Sequence, residues 1–212
     1  AVLRPVKLTL TNYPEGQSET FTVENNPNRP EDGSREVSFS RTLYVEAEDF
    51  LETPVPKYKR LYPDGPECRL KGAYVIKCTG CVKDADGNVV EILATYDPDS
   101  RGGDPADGRK VKGATIHWVD AATAVDAEVR LYDNLFTDPD PDGGDKSFLD
   151  CLNPNSLEVL LHAKVEAGLA GAQAPASFQF LRQGYFCVDN RDSSPEHLVF
   201  NRSVSLKDSF KF

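Results

Sequence analysis

The 212-residue sequence contains no methionine, one tryptophan and only three histidines. A complete chain would begin with methionine, so its absence at position 1 leads us to expect a fragment whose missing part lies upstream. No apolar run approaches the roughly 18 residues that a membrane-spanning helix requires, and no membrane partner is expected. The opening AVLRPVKLTL lacks the apolar stretch and small-residue cleavage site of a secretion signal. Basic residues are a minority, 24 Lys and Arg against 34 Asp and Glu for a net charge of −10, which argues against a generic coat for nucleic acid. Disorder is excluded by a hydrophobic content of 39%. Five cysteines, an odd number without a secretion signal, fit a reducing cytoplasm in which thiols pack as small apolar groups.

Short alternating runs of β-branched and aromatic residues dominate the rest. VKLTL (6–10), EVSFS (36–40), TLYVE (42–46), AYVIKC (73–78), VVEILATY (89–96) and ATIHWV (114–119) read as strands. So do EVRLY (128–132), FQF (178–180), YFCVD (185–189) and VFNRSVSL (199–206). Asp86-Gly87 marks a hairpin turn, and Leu181 to Gly184 marks a second. Helical signals are short, at 46–52, 120–125 and 146–152. The pattern predicts an all-β chain of two β-barrels with a few short helices. A boundary near 120 gives domains 1–120 and 121–212, discontinuous if the first and last strands pair.

Several motifs mimic chemical sites without completing them. Cys78-Thr-Gly-Cys81 ends a strand instead of opening a helix, so nothing lowers its thiol pKa, and no second pair completes a zinc site. Gly103 to Lys110 has phosphate-loop glycine spacing but neither the Gly-Lys-Ser/Thr ending nor a following helix. Asp138, Asp140 and Asp142 imitate a calcium loop, yet Leu149 stands where the closing carboxylate belongs. The sequon at Asn201 has no meaning without secretion. His117, His162 and His197 fall on separate elements, and no catalytic or metal constellation is visible.

Charge distribution says more than net charge. Residues 55–81 carry Lys57, Lys59, Arg60, Arg69, Lys71 and Lys77 against Asp64 and Glu67, a local +4, whereas 31–52 is locally −5. Within the basic stretch, Lys57-Tyr58-Lys59-Arg60-Leu61-Tyr62 interleaves cations with aromatics. Unpaired nucleic acid calls for that mixture, cations meeting phosphates and base edges while tyrosine faces stack. An extended backbone would put Lys57 and Lys59 on one face and Tyr58 and Arg60 on the other.

KYKRLYPDGPECRLKGAYVIKC resembles the C-terminal anticodon-binding region of bacterial glutaminyl-tRNA synthetases. The similarity runs on through VKLTLTNY, NNPNRPEDGSREVSFS, TYDPDSRGGDPADGRKVKGATIHWV, EVRLYDNLF, FQFLRQGYFCVDNRDS and VFNRSVSLKDS. It implies two ribosomal-protein-like barrels that clamp the anticodon loop of glutamine tRNA and splay its three bases into separate pockets. By position, Arg69 with Lys59 would face the first base, Gln179 and Arg182 the second, a uracil, and Arg60 the third, a guanine. Asn28 matches a position near the anticodon loop, and a further arginine for the second base would lie just upstream of Ala1. The resemblance also implies an upstream catalytic domain of the same chain, which would use ATP and magnesium to attach glutamine. No cofactor is expected in this part, which carries neither a HIGH-like nor a KMSKS-like sequence and should be inactive alone. A cytoplasmic monomer is expected. A related glutamyl-tRNA synthetase, a free-standing RNA-binding barrel protein and a generic barrel scaffold are the alternatives.

Overall fold

The computed structural model describes residues 1–26 and 28–206, so 207–209 of the last similar block lie outside the described residues. Among the described residues strand makes up 44% and helix 8%, with no helix of seven residues or more, and the sheets curl strongly into a half-barrel. The chain is therefore all-β. It divides into two compact units, one formed by residues 1–125 with 164–170, the other by 126–163 with 171 onward.

Among the described residues, nine strands build the first unit: β1 (Pro5–Leu10), β2 (Ser18–Glu24), β3 (Ser34–Ser40), β4 (Thr42–Glu46), β5 (Cys68–Leu70), β6 (Val75–Lys83), β7 (Val89–Tyr96), β8 (Thr115–Ile116) and β9 (Val119–Asp120). Seven form one sheet in the order β8-β5-β6-β7-β1-β4-β9, while β2 and β3 make a separate two-stranded ribbon. Alternation fixes the register. Val6, Leu8 and Leu10 of β1 are buried between Leu43 and Val45 of antiparallel β4 and Ile92 and Ala94 of parallel β7.

The ribbon closes over the sheet with Phe21 and Phe39. Phe39 meets Tyr13, Phe21, Tyr74 and Trp118 edge-on, with centroids 5.1–5.5 Å apart. Glu19 accepts the hydroxyls of Tyr13 at 3.0 Å and Tyr74 at 2.8 Å. Burial and that carboxylate push the Tyr74 phenol up to about 12, so it enters the core neutral.

The second unit is a five-stranded sheet of β10 (Val125–Tyr132), β11 (Leu157–Val165), β12 (Ser177–Phe180), β13 (Gly184–Val188) and β14 (Leu198–Ser205), in the order β11-β10-β14-β13-β12. Phe180 stacks on Phe186 at 4.4 Å and meets Phe200 edge-on at 5.2 Å. β1 and β14 lie in different sheets. The units are discontinuous because Lys164 bridges to Val2 and carries 164–170 into the first.

The short helices contract. Single 3-10 turns occupy Ala47–Asp49 and Phe148–Cys151, the latter capped by Ser147. The stretch 120–125 is a turn and strand, not a helix, because the buried Asp120 carboxylate accepts the hydroxyls of Ser38, Ser40 and Thr123. That capture favours a turn over a helical cap.

Cys68 and Cys78 are buried, and burial pushes both thiols up to about 11. Because the thiolate is the nucleophile, a short pulse of iodoacetamide at pH 7.5 should label half-exposed Cys81 and Cys187 well before Cys68 and Cys78, read by peptide mass spectrometry. Equal labelling would contradict this packing.

Candidate nucleic-acid interface

The basic segment is pinned at its apolar member. Leu61 is fully buried, its amide donates to Asp49 O at 2.9 Å, and its carbonyl accepts from the Leu51 amide at 3.0 Å. Anchoring Leu61 leaves the flanking polar side chains at the surface. The backbone is not extended throughout, since Lys57 has φ 68°, a left-handed conformation uncommon outside glycine. The alternation nonetheless survives in the contacts. Tyr58 and Arg60 are half-buried and both reach Glu48 O, at 3.1 and 3.4 Å, while Lys57 and Lys59 are exposed.

Arg60 is held in place from beneath. Its Nη1 lies 3.0 Å from Oδ1 of Asp49, a carboxylate with no exposed surface, while the Arg60 side chain keeps 34% exposure. The same Nη1 lies 3.5 Å from Oε1 of exposed Glu48, so one corner of the guanidinium is fixed between two carboxylates.

Arg69 sits in the centre of β5, between buried Cys68 and Leu70, so the strand turns it to the opposite face. Its Nε donates to Gly103 O at 2.8 Å and its Nη2 to Asp104 Oδ1 at 3.2 Å. Ala114 joins the Arg69 and Lys59 segments, accepting from the Arg69 amide at 3.0 Å and donating to Lys59 O at 2.7 Å. The structure thus brings the backbones of Lys59 and Arg69 together through a third segment. Gly113 permits the close approach, because a Cβ there would lie 2.3 Å from Glu67 O and 2.6 Å from Cys68 Sγ. Beside it, the glycine-rich loop 103–110 is closed by Arg109, which pairs with Glu67, Asp97 and Asp107 at 2.6–3.0 Å.

Asn28 stands apart, at the exposed tip of the β2–β3 ribbon, where its amide donates to Asn26 Oδ1 at 3.0 Å.

In the second unit Gln179 and Arg182 belong to one hairpin. Phe180 pairs with Gly184 across β12 and β13, and the Gln183 amide closes the turn on Phe180 O at 2.9 Å. Arg182, at φ 68°, occupies the left-handed position of that turn and is exposed. Gly184 anchors the base of the turn, since a Cβ there would meet Val204 O at 2.4 Å. Register also places Tyr185, 48% exposed, directly opposite exposed Gln179. Cross-strand partners lie about 5 Å apart, so an aromatic face and an amide share one outward patch. The hairpin spacing held that signal, though Tyr185 read only as a strand residue.

A second omission involves distant sequence. Lys110 and Lys112 join Lys57, Tyr58, Lys59 and Tyr62 around a cavity of about 730 Å³.

Two family models, both described as the anticodon-binding domain of class I tRNA synthetases (E and Q), match residues 1–97 and 115–189. The chain is 52% identical over its whole length to a glutamine–tRNA ligase of Clostridium kluyveri, covering 38% of that relative. It is 56% identical to the glutamine–tRNA ligase of Cupriavidus taiwanensis and 53% to that of Vibrio campbellii, in each case over 99% of this chain and 36% and 37% of the relative. The chain thus spans somewhat more than a third of the length of the curated relatives it matches.

Proposed function

The chain belongs to the anticodon-binding domains of the class I tRNA synthetases for glutamate and glutamine, and we propose that it reads the anticodon of glutamine tRNA as part of a glutamine–tRNA ligase. The observation that carries the choice of glutamine is 52–56% identity, across essentially the whole chain, to ligases named for that amino acid.

The recognition chemistry follows from side chains on rigid supports. Arg60 donates through its fork to O6 and N7 of a guanine at the third anticodon position. Gln179 offers an amide donor and acceptor to the edge of a uracil at the second, with Arg182 on the turn of the same hairpin. Arg69 with Lys59 takes the first base, and Asn28 meets the loop from the ribbon tip. Lysines on phosphates add salt-dependent affinity without sequence information.

Glutamine attachment belongs to the part of the ligase outside this chain. ATP and magnesium are assigned there too, because the residues here do not fit them: HIGH-like and KMSKS-like sequences are lacking, and Arg109 of loop 103–110 is engaged by the carboxylates of Glu67, Asp97 and Asp107. The chain alone is accordingly inactive in aminoacylation, and it acts as a cytoplasmic monomer. Among the described residues no helix is long and apolar enough to cross a membrane.

Fluorescence anisotropy of a labelled anticodon stem-loop carrying CUG, against the same loop altered at the middle base, tests the reading. The CUG loop should bind at least about fivefold more tightly, and Gln179→Ala or Arg182→Ala should narrow that gap. Equal binding of both loops, falling steeply with salt, would reduce the interface to a basic patch.

A further inference from the structure

Arg60 and Arg69, the two arginines assigned to bases in the first unit, share a feature that the lysines near them lack. Each guanidinium carries a carboxylate, Asp49 on Arg60 and Asp104 on Arg69. Lys57, Lys59, Lys110 and Lys112 have no salt bridge among the described residues, whereas Lys83 and Lys146 pair with Glu52 and Asp138. Asp49 is fully buried, so its partner answers a need of the fold. Asp104 has no such need. Its side chain is 88% exposed, where an ion pair adds little to stability. On a surface that meets RNA a carboxylate also repels phosphate, so this one works against affinity.

Asp104 is nonetheless held firmly in place. Its neighbours Gly103 and Pro105 are buried. The Gly102 amide donates to Ala73 O at 2.7 Å and the Gly103 amide to Ser100 O at 2.8 Å. Gly103 sits at φ 99°, a backbone that side-chain-bearing residues rarely adopt. At the other end of the loop Arg109 meets Glu67, Asp97 and Asp107, three carboxylates against one guanidinium, so the excess charge there is negative.

The contacts on Arg69 divide its donors. A guanidinium can give two parallel hydrogen bonds along either of two edges, Nε with Nη2 or Nη1 with Nη2. The first edge is taken, Nε by Gly103 O at 2.8 Å and Nη2 by Asp104 Oδ1 at 3.2 Å. The second is left, on a side chain that keeps 30% exposure.

We propose that Asp104 is a positioning residue that makes Arg69 a reader of bases instead of a phosphate contact. Its carboxylate offsets the guanidinium charge and keeps phosphates away, while the Gly103 carbonyl and Asp104 together aim the remaining edge. Two adjacent acceptors, such as N3 and O2 on the pairing edge of cytosine, match that edge. Specificity at the first anticodon position is thus gained by giving up affinity. The proposal rests on the anticodon reading above and adds to it a residue whose removal should tighten binding.

The 212-residue chain is titrated at several salt concentrations with the CUG stem-loop, the same loop with adenine as first base, and the middle-base control. Asp104→Asn keeps an acceptor and removes the charge. It should steepen the slope of log K against log salt by about 0.7, the effect of one further phosphate on a single strand, which is about fivefold in affinity at 0.1 M relative to 1 M. The preference for cytosine over adenine should shrink at the same time, with the middle-base preference unchanged. Asp104→Glu should stay close to the parent in both respects. In an Arg69→Gln background, Asp104→Asn should give well under half of the slope gain.

The proposal is overturned if the parent chain discriminates the loops and Asp104→Asn changes neither slope nor first-base preference. Weaker binding of Asp104→Asn to every loop would also overturn it, since that marks a structural role. So would a full slope gain in the Arg69→Gln background, which would make Asp104 an ordinary surface charge. If the parent chain ignores the middle base yet Asp104→Asn behaves as stated, the middle-base assignment fails and the role of Asp104 stands. A parent chain that discriminates no base overturns both.

Discussion

Arg60→Lys should lower affinity for a loop with guanine at the third anticodon position by roughly 5- to 150-fold, the equivalent of about 1–3 kcal/mol for a bidentate base contact. Loops with another third base should be nearly unaffected, so discrimination is lost, not binding in general. The reason is geometric. The guanidinium is fixed at one corner by Asp49, 3.0 Å away, and presents a planar fork that an ammonium cannot reproduce. Lysine at 60 keeps a positive charge beside the fully buried Asp49 carboxylate, so the fold is retained. Arg60→Ala also removes the charge beside Asp49, and its binding loss would then be mixed with destabilisation. Breaking a fully buried pair costs about 3–5 kcal/mol, and less here because Arg60 keeps a third of its surface in water. Anisotropy with third-base variants, accompanied by thermal melts, checks this. Equal losses across all third bases would assign Arg60 to the phosphate backbone instead.

Asp49→Asn should act in the same direction more weakly. The amide still accepts from Arg60 but leaves only the exposed Glu48 carboxylate, 3.5 Å away, to hold it by charge, so the fork samples more orientations. Reading of the third base should fall while salt dependence stays the same.

Much of this arrangement was legible in the sequence, and its gaps have specific causes. β7 was read residue for residue from VVEILATY, a β-branched-rich run whose strand is paired on both edges, with β6 and with β1. β5 was missed because three residues carry no period, although its central Arg69 was found through charge. β2 was missed because only Phe21 and Val23 of SETFTVE are apolar, the ribbon having one side to bury. β11 escaped for another reason: Leu157, Val159 and Leu161 are exposed on an edge strand, so apolar character there does not track burial. The expected extended run at 57–60 breaks at Lys57, whose left-handed backbone no local pattern announces. Lys110 and Lys112 stayed invisible for the deepest reason. Their proximity to Lys59 depends on a pairing about fifty residues apart, made possible by a glycine whose importance lies in what faces it.

That glycine carries the sharpest stability contrast in the chain. Gly113→Ala would place a methyl group 2.3 Å from Glu67 O and 2.6 Å from Cys68 Sγ. The obstacle is backbone, which cannot rotate away, so residues 110–114 must separate from 67–69. Overpacking of this kind costs about 1–3 kcal/mol, and each kcal/mol lowers the melting temperature of a chain this size by roughly 2–4 °C. Gly80→Ala is the matched control. Nothing lies within 4 Å of its added Cβ and its φ is not in the left-handed region, so it should be close to neutral. Because displacement of 110–114 uncovers Cys68, the Gly113 variant should also make that thiol reactive in the native state while Cys78 stays protected. A neutral Gly113→Ala with Cys68 still unlabelled would mean that the segment carrying Lys110 and Lys112 does not lie against Glu67. The cavity between the basic segment and residues 110–112 would then lose its second wall.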